Sequence, residues 1–281
     1  MPANSSSLVP RVGHADGPDP AEGDVRHGSR FSIASTPTDN LTEDNTAMAD
    51  SASHHIYPYR APRRLTQNLW QIQGSLKLPI PRNMTIWRAP DKRLVLYGVI
   101  AMHEPGMKAI EEMGDPAFMV IPHRRHRMDA AYYQSRFPRI RTVADTAMAA
   151  TNFRIDGSLK ELTTAFGIHA QRIPGTSYDD VALELPIPGG LALCVCELLG
   201  NVPGAGIVGR ALSRLLGPPQ PGCGVARVVR YREVVDRERV KAWLRELAGR
   251  IDLLMLLVGH GEPTLDAESV RSVLSRASDQ V

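Results

Sequence analysis

The sequence predicts a layered α/β domain, and three observations carry that prediction. Apolar runs of strand length recur between residues 69 and 258, separated by turns rich in Gly, Pro, Asp and Asn. Between 94 and 144 these runs alternate with helical patterns in the order strand–helix–strand–helix–strand, the arrangement that stacks α and β layers. Residues 1–60 lack any sustained apolar pattern and carry many Ser, Pro, Gly, Asp and Asn. Such a segment cannot bury enough surface to offset its ordering entropy and is expected to be a disordered tail. Residues 65–281 then form one domain of roughly 200 residues, enough for a full core.

Residues 69–73 (LWQIQ) alternate apolar and polar and predict a first strand, and 84–88 (MTIWR) a second. Pro90, Asp91 and Lys92 make a turn. Residues 94–101 (LVLYGVIA) predict a third strand, apolar enough to be covered on both faces. The close succession of the three suggests an antiparallel meander. A helix opens at His103-Glu104-Pro105, carries Ile110 and Met113 on one face, and closes at Gly114. Residues 117–121 form a fourth strand, 130–135 a helix and 140–144 a short strand. Leu159, Leu162 and Phe166 recur at helical spacing, and 168–173 returns to strand. Residues 181–185 and 191–196, joined across Pro186 to Gly190, read as a hairpin.

The stretch 200–224 is rich in Gly and Pro, with a helix expected at 207–216. Gly204, Gly206 and Gly209 lack the Gly-Lys-Ser/Thr of a phosphate loop, so this stretch reads as a lid or flexible connection. Val240, Trp243, Leu244 and Leu247 place one apolar stripe on a helix at 236–247. Residues 251–258 (IDLLMLLV) are a buried strand, and a last helix at 266–275 is capped by Asp266.

Composition excludes several classes of function. A net charge of +3 is too small to argue for nucleic acid. No run reaches the roughly 20 apolar residues of a membrane helix, and no basic-then-apolar secretory signal is visible. Cys194, Cys196 and Cys223 are odd in number and lack C-x-x-C spacing, which predicts reduced, buried thiols in a cytoplasmic protein.

The chemistry gathers where apolar strands end. The run FMVI at 118–121 is stopped by Pro122, and His123, His126 and Asp129 follow at intervals of three. These residue types suit a borderline metal ion such as zinc. Arg124, Arg125 and Arg127 interleave with them, so a solvated basic turn or an anion-binding patch is the competing reading. Glu197 directly follows a second strand, and His260, between two glycines, directly follows a third. If these strands lie side by side, their ends form one His/carboxylate cluster. Glycine on either side of His260 allows the backbone to approach a metal or another loop closely. Glu262 is placed to orient His260 or to stand exposed in the loop.

From about residue 65 to 277 the chain resembles the metallo-β-lactamase superfamily, and within it a bacterial branch classed as a domain of unknown function. The matching segments, in order, are LVLYGVI before a helix, the strand ending IPHRRH, ALCVCELLGN and LLVGHGEPTLDAESV. The resemblance implies a four-layer αββα sandwich with a metal site along one edge of two sheets. It also implies zinc or iron ligands from an H-x-H-x-D-H loop, a later His, a bridging Asp and a final His. This chain departs from that pattern. His123 matches the first His, but Arg125 stands at the second, Arg127 at the Asp and Met128 at the last His. His126 and Asp129 are each one place late, Glu197 replaces the bridging Asp, and no middle His precedes the hairpin.

The implied site therefore holds one zinc or iron ion, or none, on His123, His126, Glu197 and His260 in some combination. Two functions follow. The first is a metal-dependent hydrolase with Asp129 or Glu262 as general base and Arg124 and Arg125 holding a small anionic substrate. The second is a metal-free, non-catalytic member of the fold that binds a small anion or a protein.

Overall fold

The structure is a computed structural model. It describes residues 54–281 apart from 78–79, 147, 149–151, 178–179, 203–210, 212–214 and 219–221. The tail expected over residues 1–60 lies almost wholly outside the described residues, as do most of the helix and the glycine-rich connection expected within 203–216.

The first sheet has seven strands in chain order. They are β1 (Arg63–Thr66), β2 (Leu69–Gly74), β3 (Arg82–Arg88), β4 (Arg93–Tyr97), β5 (Asp115–Val120), β6 (Arg141–Ala144) and β7 (Gly157–Ser158). β1 to β4 are antiparallel, so the expected meander is present, and β4 to β7 run parallel. The second sheet contains β8 (His169–Arg172), β9 (Val181–Ile187), β10 (Gly190–Val195) and, later in the chain, β13 (Leu253–Val258). Its order is β13-β10-β9-β8, with β13 parallel to β10 and the rest antiparallel. A two-stranded ribbon pairs β11 (Leu199–Gly200) with β12 (Gly224–Val225).

Three apolar layers hold these sheets in a sandwich. Ile72, Ile86, Leu96 and Met119 face outward from the first sheet onto Met107 and Ile110 of the helix Glu104–Met113 and Tyr133 of the helix Ala130–Arg136. Leu69, Trp87, Val95 and Val120 face the other way and meet Leu183, Cys194 and Leu257 of the second sheet. Leu193, Val195 and Leu256 pack outward under Val240 and Leu244 of the helix Arg237–Ala248 and Val270 and Leu274 of the helix Ala267–Gln280. The order is helix, sheet, sheet, helix. Both C-terminal helices begin on an Asp whose carboxylate accepts from a backbone N–H three residues on, from Arg239 at Asp236 and from Ser269 at Asp266.

Several elements differ from the sequence reading, among them the short strands β1, β7, β11 and β12, which it did not contain. The strand expected over 94–101 stops at Tyr97, because Gly98 turns the chain at φ +69° while the residues after it stay buried. A short helix, Arg227–Arg232, fills a stretch whose Arg-rich pattern gave no clear apolar stripe. The last helix continues to Gln280, well past the expected residue 275, with Ala277 and Ser278 still buried.

The sheets are joined at the end that carries the candidate ligands. Val181 N donates to Pro122 O at 2.9 Å and Asn83 N to Gly259 O at 2.8 Å. The Asn83 amide donates to Val258 O at 2.9 Å and to Gly261 O at 2.6 Å. β10 and β13 end side by side in the second sheet, as expected, whereas β5 ends across from them in the first. A side chain on residue 259 would bring Cβ within 2.6 Å of Cys196 O, and one on residue 261 within 1.6 Å of Asn201 O. Gly261 also sits at φ +96°. Backbone must shift to admit any other residue there, so Gly261→Ala is expected to destabilise the fold by roughly 2–4 kcal/mol in urea denaturation.

Candidate metal centre

The turn after β5 is a short 3₁₀ helix, Arg124–His126, in which His126 N donates to His123 O at 2.8 Å. Three residues per turn place His123 and His126 on one side of it. The His123 ring caps the turn by accepting from Arg125 N at Nδ1, 3.2 Å away. Glu197, two residues past β10, is held from behind by Asp180. That buried carboxylate accepts from Glu197 N at 3.2 Å and from Leu198 N at 2.7 Å. His260 follows β13, and its Nδ1 lies 3.0 Å from Pro81 O. A carbonyl can only accept, so Nδ1 carries the proton and the Nε2 lone pair faces the cluster.

Three atoms converge. His126 Nε2 lies 3.1 Å from His260 Nε2 and 3.3 Å from Glu197 Oε1, and His260 Nε2 lies 3.6 Å from the same oxygen. Zinc with bonds of about 2.0–2.2 Å to N and O in a tetrahedron spaces its ligands by roughly 3.3–3.6 Å. The triangle therefore matches one such ion in donor type and in size. His123 Nδ1 is 3.7 Å from Glu197 Oε1, but its lone pair already faces the Arg125 N–H. Three donors remain, the number found in sites that keep a position open.

The electrostatics suit a cation. Burial lowers the His123 and His126 pKa values to about 4, although the Glu197 carboxylate pulls each the other way. Both imidazoles are neutral at pH 7 and keep a lone pair. Burial alone would raise the Glu197 pKa, but the closeness of the His126 and His260 rings outweighs it and holds the carboxyl well below the ordinary range. Glu197 Oε2 also meets Arg125 Nη1 at 3.3 Å, and the same nitrogen meets Glu233 Oε1 at 2.5 Å. Two carboxylates against one guanidinium leave a net negative charge. Cys196 comes within 4.8 Å of the donor atoms of His126 and Glu197, but burial first of all keeps its thiol protonated, and the side chain belongs to the layer between the sheets.

His126, Glu197 and His260 thus meet, with His123 farther off on the same Glu197 oxygen and Arg125 on the other. Other candidates lie elsewhere. Asp129 was expected to act as a base in the cleft. Its carboxylate instead pairs with Arg82 at 2.6 Å and His54 at 2.8 Å, because the chain turns into the helix Ala130–Arg136 and carries it away from the two histidines. Glu262 is half exposed and pairs with Arg63 at 3.3 Å, since the backbone at Gly261 swings it outward. Arg124 stands exposed on the turn, and Arg125 is committed to carboxylates rather than presented to an anion. Glu233, Asp180 and Arg82 carry weight that no motif announced. Glu233 ends an unread helix, Asp180 precedes a strand in a loop, and Arg82 lies inside a strand predicted to start two residues later.

Beside the triad lies a cleft of about 400 Å³, walled by Ile80, Met128, Val228 and Val229 and reached by Arg82 and Arg232. Two groups of shifts oppose each other in the metal-free chain. The folded state binds fewer protons than the unfolded one at His123 and His126, so they add stability as pH rises from about 4 to 6.5. Asp180, raised by burial to about 7 against the pull of the Leu198 N–H, subtracts stability as pH rises from 3.8 towards 7. Two histidines against one Asp predict a net gain on the order of 1 kcal/mol per pH unit between pH 4.5 and 6. Asp180→Asn should steepen that slope in chelator-treated protein, read from urea midpoints.

No protein-family model matches the chain, and no curated protein matches it. Solved structures do. The metallo-β-lactamase FIM-1 from Pseudomonas aeruginosa, crystallised in a mono-zinc form, aligns over 80% of this chain and 96% of its own at 15% identity and a TM-score of 0.52. The metallo-β-lactamase DIM-1 aligns over 79% of this chain and 100% of its own at 13% identity and a TM-score of 0.48. VMB-1 aligns over 80% and 100% at 11% identity and a TM-score of 0.48. At these identities the likeness establishes the fold.

Proposed function

We propose that this chain of metallo-β-lactamase fold is a metal-dependent hydrolase that holds one zinc or iron ion on His126, Glu197 and His260 and acts on a small anionic ester-like substrate. The observation that carries this reading is the triangle of His126 Nε2, His260 Nε2 and Glu197 Oε1, with edges of 3.1, 3.3 and 3.6 Å. Its donor types match a borderline ion, and its three members leave a position for water or substrate. When bound, the ion supplies Lewis acidity that activates water and polarises a carbonyl or phosphoryl oxygen.

The rest is done by the chain itself. The Pro81 carbonyl fixes the His260 tautomer, so the lone pair is already aimed. Asp180 holds the backbone of Glu197 and Leu198, which sets where the Glu197 carboxylate reaches. Arg125 occupies the Glu197 oxygen that faces away from His126 and His260 and ties it to Glu233. A guanidinium bridging those two carboxylates takes the place a second dication would need, which favours one ion over two. Glu233 is the other buried carboxylate of the cleft lining and takes the base role first sought at Asp129 or Glu262. Burial raises its pKa, although Arg125 opposes the rise.

The same Arg125 bridge supports the second reading, a metal-free member of the fold that binds an anion or a protein, because it already neutralises part of the site. Elemental analysis separates the two. The hydrolase reading expects about one zinc or iron per chain, falling below roughly a tenth in His260→Ala and in His126→Ala. No ion after supplementation with zinc or iron would leave only the second reading. Arg125→Ala removes a cation next to the ion and should tighten metal binding by at least about tenfold in competition with a chelating dye.

A further inference from the structure

We propose that the cleft beside the triad selects an amphipathic anion, an aliphatic body carrying a carboxylate or similar group, and that Arg82 is the residue that holds the anionic end. This inference rests on the hydrolase reading for its consequence, since it names the substrate class of the same site, but its binding step stands apart from catalysis.

Arg82 is 5% exposed, at the start of β3, and lines the cleft together with His126, Glu197 and His260. Its planar fork is only partly used. Nε and Nη2 donate to Ser75 Oγ at 3.2 and 3.1 Å, and Nη2 also pairs with Asp129 Oδ2 at 2.6 Å. Nη1 is buried with no hydrogen-bond partner among the described residues. A buried charged donor without an acceptor is costly, and native folds keep such groups where something else completes them. Asp129, anchored in turn by His54 at 2.8 Å, fixes the guanidinium so that Nη1 is not free to swing towards another protein oxygen.

Two other cations line the cleft, and Arg232 stands exposed at its rim. Arg125 spends its Nη1 on Glu197 and Glu233. Apart from the charged groups, the cleft is walled by Ile80, Met128, Val228 and Val229, and Ile80 and Met128 are 46% and 48% exposed. Exposed side chains of that size, gathered at one mouth, fit an aliphatic surface rather than a sugar or a nucleotide. An apolar wall with a single buried donor beside it matches a molecule that is apolar along its length and anionic at one end.

The test uses the full chain as purified, with octanoate as the probe and octanamide as its uncharged counterpart, followed by calorimetry. Octanoate is expected to bind at least about tenfold more tightly than octanamide, and Arg82→Met to level the two while metal content stays at the wild-type value. Equal binding of the two probes to the wild-type chain would overturn the proposal. So would an Arg82→Met chain that still prefers octanoate, or a loss of preference that merely follows a loss of metal. Should Arg82→Met fail to fold, Met128→Asp places a negative charge at the exposed rim without disturbing the buried pair and should weaken octanoate by at least about tenfold. Unchanged octanoate binding in that variant also overturns the proposal. Metal analysis of the wild-type chain judges the hydrolase reading separately, so the two can fail independently.

Discussion

A buried carboxylate surrounded by imidazoles is the interaction on which the rest of this structure depends. Glu197 Oε1 lies 3.3, 3.6 and 3.7 Å from nitrogens of His126, His260 and His123, and the side chain is only 10% exposed. Removing that charge from water is expensive unless cations or donors surround it. Here Arg125 and the imidazoles of His126, His260 and His123 form the surroundings. The same enclosure withdraws protons from the His123 and His126 rings, because a charged ring is penalised by burial more than it is helped by one carboxylate. A negative oxygen and neutral rings with lone pairs are what a divalent ion requires. The acid–base state of the site thus follows from where the sheets bury it.

That burial depends on backbone contact between elements far apart in sequence. Gly259 lies against Cys196, and Asn83 of β3 bonds to the chain on both sides of His260. Val181 bonds to Pro122, just before His123. Each ligand therefore sits on a strand end that is tied to another strand end, and the three donor atoms inherit their spacing from the sheets. Side chains on free loops would have to order themselves before they could act together, whereas these are held in place by the two sheets.

The parts legible in the sequence were those written as local patterns. Strand-length apolar runs placed most elements of both sheets, and Asp236 and Asp266 marked helix starts because capping is a local hydrogen bond. His126, Glu197 and His260 drew notice for a similar reason, each being a polar residue within a few positions of the end of an apolar run. The glycines around His260 were read as permitting close approach, and the partners are Cys196 and Asn201. Asp129 and Glu262 were read by type and proximity in sequence, which do not report direction. One residue of rotation pairs Asp129 with Arg82, and a positive φ at Gly261 turns Glu262 to Arg63. Glu233 and Asp180 could not be read at all, since their importance comes from tertiary contacts with Arg125 and with the Glu197 backbone.

The positions at which the chain departs from the ligand pattern it resembles are tied to charged partners in the structure. Arg125 stands where the pattern has a metal-binding His, and its guanidinium meets two buried carboxylates, Glu197 and Glu233. Replacing a ligand by a cation there would leave either carboxylate uncompensated if the other partners were absent. All three are present and paired. Asp129, displaced by one position, is likewise matched by a buried Arg82 and by His54. Asp129 thus has bases of its own, whereas Glu197 and Glu233 share the single Arg125 guanidinium. Glu197 and Glu233 sharing Arg125, and Asp129 held between Arg82 and His54, tie the charged groups around the cleft to partners within the same fold.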